Sequence, residues 1–98
     1  MEASYHVTVN IQTPMGMLEI GNFFLGTEKS FAEETMDELE GSNNLGAASI
    51  RLDLLSTTLD NLPVCIKSIG CNLDQYASNC KILTREVFRH FMFEKGSL

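Results

Sequence analysis

Cys65, Cys71, Cys80 and His90 are the first residues to weigh, because thiolates and an imidazole together can hold zinc. The intervals between them are five, eight and nine residues. A zinc knuckle needs a much shorter pair, of the C-x2-C kind, and none occurs; nor does the C-x-x-C of a redox centre. Cys80 falls on the apolar side of a helical pattern, where a thiol serves as a small hydrophobe. The acidic run offers a second possibility, since Glu34, Asp37 and Glu38 sit at i, i+3 and i+4, which brings three carboxylates together on one helix face. Without loop ligands or an EF-hand pattern, this reads as a solvated acidic face. Gly21 to Gly26, GNFFLG, has the glycine interval of a phosphate-binding loop, but Thr27 and Glu28 stand where that loop needs Lys and then Ser or Thr. The two histidines, His6 and His90, have no Ser or Cys beside them in sequence, and no nucleophile elbow is present. Lys81, Arg85 and Arg89 form a basic stripe at i, i+4 and i+8. A phosphate backbone could lie along it, or an acidic helix beside it. The residues therefore call for no metal and no cofactor, and they assign no catalytic group.

Composition narrows the remaining classes. Apolar residues are 44% of the 98 and charged residues 20%, the balance of an ordinary globular domain with one core. The net charge is −6, which makes nucleic acid an unfavourable partner. The charge is uneven: residues 1–48 hold eight acids and one base, giving −7, whereas residues 49–98 hold five acids and six bases, giving +1. No apolar run approaches the roughly 18 residues that cross a bilayer, so no membrane partner is expected. The N-terminus has an acidic second residue and no apolar stretch of the secretory kind, so the chain is expected to start near Met1 in the cytoplasm. An odd number of unevenly spaced cysteines fits reduced thiols there.

The elements that must position these residues follow from hydrophobic period. Tyr5, Val7, Val9 and Ile11 alternate with His6, Thr8, Asn10 and Gln12, a strand with one buried and one wet face. Thr13-Pro14-Met15-Gly16 is a turn. Met17 to Leu25 is the returning strand, with Gly21 marking a bulge or bend. Its register is open, because Leu18, Ile20 and Phe24 compete with Phe23 and Leu25 for the core. A helix is predicted from about Thr27 to Glu40, capped by Thr27 or by a Ser30/Glu33 box and ended by Gly41. Phe31, Ala32, Thr35, Met36 and Leu39 form its apolar face. Gly41 to Ala47 reads as a loose linker. Ile50, Leu52 and Leu54 alternate with Arg51 and Asp53 in a third strand. A turn at Leu59–Leu62 leads to a fourth strand, opened by Pro63 and broken by Gly70. The last helix spans Asn72 to Lys95, with Leu73, Tyr76, Ala77, Cys80, Leu83, Thr84, Val87, Phe88 and Phe91 on its apolar stripe.

The order is ββαββα, two ββα units at about 4–41 and 48–96 within a single domain. The expected fold class is α+β: a two-layer sandwich of a four-stranded, mainly antiparallel sheet with both helices on one face. The opposite face would show His6, Thr8, Asn10, Gln12, Arg51 and Asp53 to solvent. Ile82, Met92 and Phe93 fall toward the polar side of the last helix, which marks them as an interaction surface and makes a homodimer an open expectation. The leading functional expectation is a small non-enzymatic binding or interaction protein that uses an exposed sheet face or edge, with an unknown protein or small-molecule partner. The alternative is a ligand-binding domain or enzyme with a pocket between sheet and helices, served by polar groups such as His6, Arg51 or His90.

The runs YHVTVNIQTPMGMLEIGNFFLG, LPVCIKS and NCKILTREVFRHF together resemble a family of short, uncharacterised proteins from Bacteroidetes-type bacteria. The likeness spans nearly the whole chain. It implies a free-standing cytoplasmic bacterial protein, and it carries over no catalytic or binding residues.

Overall fold

The computed structural model describes residues 3–58 and 62–94, without the side chains of residues 47, 93 and 94. The fold is α+β. Strands β1 (Ser4–Thr13) and β2 (Gly16–Gly26) are followed by helix α1 (Lys29–Glu38), strands β3 (Ile50–Thr57) and β4 (Val64–Cys71), and helix α2 (Leu73–Arg89). All strand pairs are antiparallel, in the order β2-β1-β3-β4. The alternating β1 and β3 occupy the centre, and β2 and β4 are the edges. Val7, Val9, Leu52 and Leu54 are fully buried under the helices, as the period-2 pattern requires. Leu25, Met36 and Leu83 complete the middle of the core.

The β1–β2 turn is formed as predicted: Thr13 pairs with Gly16, and the Thr13 hydroxyl donates to the Gly16 carbonyl at 2.7 Å. Gly16 has φ +112°, a backbone state that favours glycine. The competition within β2 is settled by two bulges. Gly21 pairs with Val9 but Glu19 pairs with Asn10, so Ile20 is the extra residue. That insertion inverts the alternation. Leu18 before the bulge and Phe23 after it then share the helix-facing side, opposite Ile11 and Val7, while Glu19 faces outward. A second bulge at Leu25 lets it drop fully into the core.

Several boundaries depart from expectation, among them the end of the last helix, which is α-helical only to Arg89 and continues as a π-helical turn over His90–Glu94. Helix α1 is shorter, and its N-cap is Glu28, with no side-chain cap; Ser30 already lies inside the first turn. It ends at Glu38, with Leu39 as its C-cap, rather than at Gly41, because the Glu40 backbone is captured by α2. The supposed linker is structured. Ser42 exchanges two 2.8 Å backbone hydrogen bonds with Gly70, and Leu45–Ala47 forms a short 3-10 turn. That pairing holds Gly70 within β4, which runs on to Cys71. The turn predicted at 59–62 falls largely outside the described residues. Helix α2 begins with a capping box that sequence reading passed over: the Asn72 side chain accepts from the Gln75 N–H at 2.8 Å, and the Gln75 side chain accepts from the Asn72 N–H at 3.0 Å. No described helix is long and apolar enough to cross a membrane.

Candidate functional site: the outer face of α2 and the β2 edge

Helix α2 lies on the sheet turned well away from its predicted stripe. Its buried residues are Asn79, Leu83 and, in the π-helical turn that follows, His90. Tyr76 and Val87 pack at the border of the core. The other half of the apolar stripe is left outside: Leu73 is 72% exposed and Phe88 52%, with Ala77 and Thr84 exposed between them. The cause is α1. Asn79 is fully buried and bridges both backbone groups of Glu40, accepting from its N–H at 2.7 Å and donating to its carbonyl at 2.9 Å. Arg85 reaches Glu38 at 3.1 Å. His90 stacks on Phe31 with ring centroids 3.9 Å apart, and its Nε2 lies 3.1 Å from a Glu28 oxygen. These polar contacts draw the Asn79–Leu83–His90 line inward, and the Ala77–Thr84–Phe88 line turns out to solvent.

Beside that outer line runs the edge strand β2. An open, mainly apolar groove of about 640 Å³ lies between them, lined by Asn22, Phe23, Phe24, Thr84, Val87, Phe88 and Phe91. A second hollow, lined by Cys80, Lys81, Thr84, Arg85 and Phe88, shares Thr84 and Phe88 with it. On the strand side, Met17, Leu18, Ile20 and Phe24 are each about half exposed. Rings continue round the end of the edge strand. His6 lies 5.3 Å from Phe24, Phe24 stacks 6.3 Å from Phe91, and Phe91 meets His90 edge-on at 5.1 Å.

The sheet face away from the helices carries the six predicted polar residues, but not all of them meet solvent. Thr8 and Asp53 are only 5% and 8% exposed. They pair across β1 and β3, and Asp53 also faces Ser68 on β4. Asp53 accepts from Arg51 Nε at 2.8 Å, from Asn10 Nδ2 at 3.3 Å and from the Ser68 hydroxyl. A carboxylate so enclosed is shielded by its own donors, which corrects the expectation of a wholly wet face. The same contact, first through the hydrogen bond and then through the charge of Asp53, raises the Arg51 pKa further. His6 and Asn10 are half-buried and Gln12 is exposed. His6 bonds Asn22 at 3.2 Å. His6 and Arg51 do not converge with His90, which faces α1 on the helix side.

The remaining candidates do not gather into one metal site among the described residues. Cys65 is exposed near the start of β4, Cys71 is buried at its end, and Cys80 is half-buried on α2, all as free thiols. Burial pushes the Cys71 pKa up, against an opposing hydrogen bond with Asn79. The Tyr76 pKa is raised by its hydrogen bond to Cys80 and then by burial. Among the described residues, no three His, Cys, Asp or Glu side chains gather where they could hold a metal ion. The acidic trio is divided: Asp37 pairs with Lys67 at 2.6 Å and Glu38 with Arg85. Of the basic stripe, Arg85 crosses to α1, whereas Arg89 pairs with Glu86 on its own helix. Ile82 is half-buried and Met92 exposed, and the Phe93 side chain lies outside the described residues. The larger exposed apolar surface is thus one that sequence reading assigned to the core. Its signal was the width of the α2 stripe, broader than one sheet contact needs. The chain matches no protein-family model, no curated protein and no solved structure.

Proposed function

We propose that this chain is a small non-enzymatic interaction protein that docks a protein surface along the outer line of α2 and the neighbouring β2 edge. The observation that carries the reading is the groove between Phe24 and Phe88, with Ile20 on the same strand and Leu73 on the same helix also exposed. Apolar surface of this kind on an otherwise charged domain marks contact sites, and large aromatic side chains supply most of the binding energy where such sites are covered. The polar groups elsewhere support the same reading, because Asp53, Asn79 and Arg51 are engaged with one another or with backbone. A cytoplasmic setting accords with three free thiols.

The test is to recover tagged wild-type protein and a Leu73→Lys/Phe88→Lys variant from cells, after confirming equal thermal unfolding. A protein held by the wild type and lost at least tenfold from the variant supports the proposal. Equal retention by both, or retention of nothing by either, an untagged copy of the same chain included, overturns it.

A further inference from the structure

We infer that the occupant of this face is a second copy of the chain, joined through antiparallel pairing of the two β2 strands about a two-fold axis at Asn22. The inference rests on the interaction reading above and names its partner.

The two edges of the sheet differ. At β4, Ser42 already occupies the backbone of Gly70, and Lys67 is tied to Asp37. Charges and covering segments are what keep an edge from pairing. At β2, only Glu19 is charged between Gly16 and Gly26, and no other segment of the described chain pairs with its outer side. Its bulges at Ile20 and Leu25 leave Gly21 to Phe24 as a regular stretch centred near Asn22.

The sequence of that stretch complements itself. In an antiparallel pair centred on Asn22, each Gly21 stands opposite the partner's Phe23, each Ile20 opposite the partner's Phe24, and Asn22 meets its own copy. Gly21 and Phe23 both face the helix side, so the partner ring covers the bare glycine beside it. A two-fold axis makes this contact isologous and closed. It also carries the outer line of α2 toward its counterpart, so that one contact covers strand edge and groove together. The area is sufficient. Centred on Asn22, residues 18–26 face their own copies, and nine residues on a slab 20 Å thick present on the order of 600 Å² at about 3.3 Å per residue, at the lower end of the roughly 600–1,000 Å² per partner of a stable interface. The product is an eight-stranded sheet with four helices on one face.

The solution mass of the unmodified protein is the first measurement, and twice 10.9 kDa is expected. The second is Asn22→Cys in a Cys65→Ser background, oxidised and run without reductant. Residues at such an axis lie about 4.5–5.5 Å apart between Cα atoms, within disulfide reach, so a doubled band is expected, whereas Gln12→Cys on the same background should give none. Ile20→Lys/Phe88→Lys should raise the dimer dissociation constant at least a hundredfold while leaving thermal unfolding of the monomer unchanged. A mass of 10.9 kDa at every concentration, or a dimer that Asn22→Cys does not cross-link, overturns the inference. A monomer that still holds another protein through Leu73 and Phe88 would overturn the second copy alone and leave the interaction reading standing.

Discussion

Asn79 shows how one buried amide can set the pose of a helix. Its side chain satisfies the N–H and the carbonyl of Glu40 from a fully buried position. Asn79→Ala removes both hydrogen bonds at once, and about 1–3 kcal/mol of unfolding free energy should be lost, since a typical hydrogen bond contributes about 0.5–1.5 kcal/mol and the Glu40 groups it leaves are only part-buried. Urea titration measures this, and a loss below about 0.5 kcal/mol would contradict the role given to the bridge. Gly26 constrains the opposite end of α2. It sits at φ +87°, and a Cβ there would fall 2.9 Å from the Phe91 ring. Gly26→Ala should cost about 1–3 kcal/mol through backbone strain and overlap. Because the overlap is with Phe91, that substitution should cost less when made in a Phe91→Ala background than in the wild type. A double-mutant cycle separates the two contributions.

Among the elements, α2 and β2 are where pattern and packing part. The period of α2 was legible and so was its start, but its α-helical end at Arg89, where a π-helical turn takes over, and its orientation on the sheet were not. A helical wheel ranks residues by hydrophobicity, and Asn79 and His90 rank low; they are buried because the residues flanking α1, Glu40 and Glu28, offer each a partner. In β2, the alternation conflicted with itself in sequence, and two bulges reconcile it. In the central strands nothing competes, so β1 and β3 were readable almost residue by residue. Asp53 is the exception, drawn under cover by Asn10, Arg51 and Ser68. Asp53→Ala should destabilise the sheet by about 2–4 kcal/mol, because it leaves Arg51 and the other donors unpaired in a half-buried setting. Amide exchange should quicken first across the β1–β3–β4 ladder, and uniform quickening throughout the chain would count against a local network.

For the whole molecule, the raised pKa values of Cys71 and Tyr76 set a direction for pH dependence. Folding holds both protons on at pH values where the unfolded chain releases them. The stability contributed by the neutral forms is therefore complete below the ordinary thiol value and is lost as pH rises through the raised folded values. Urea midpoints should stay level up to about pH 8.5 and fall above it, and Cys71→Ala should remove the earliest part of that fall. A midpoint that rises with pH in this range would reverse the sign. The thiols themselves should separate in native alkylation, with exposed Cys65 modified first and buried Cys71 only on unfolding.

The sequence by itself determined the element order, the two-layer α+β class, the core faces of β1, β3 and α1, and the first turn. These depend on local period and turn chemistry, which a chain carries wherever it folds. Tertiary structure alone decided the strand order, the second bulge of β2 at Leu25, the burial of Asp53 and the roll of α2. Each of those turns on which distant backbone or carboxylate a side chain meets. The roll of α2 has the largest consequence, because it leaves half of an apolar stripe uncovered beside an open strand edge, where a partner can cover it.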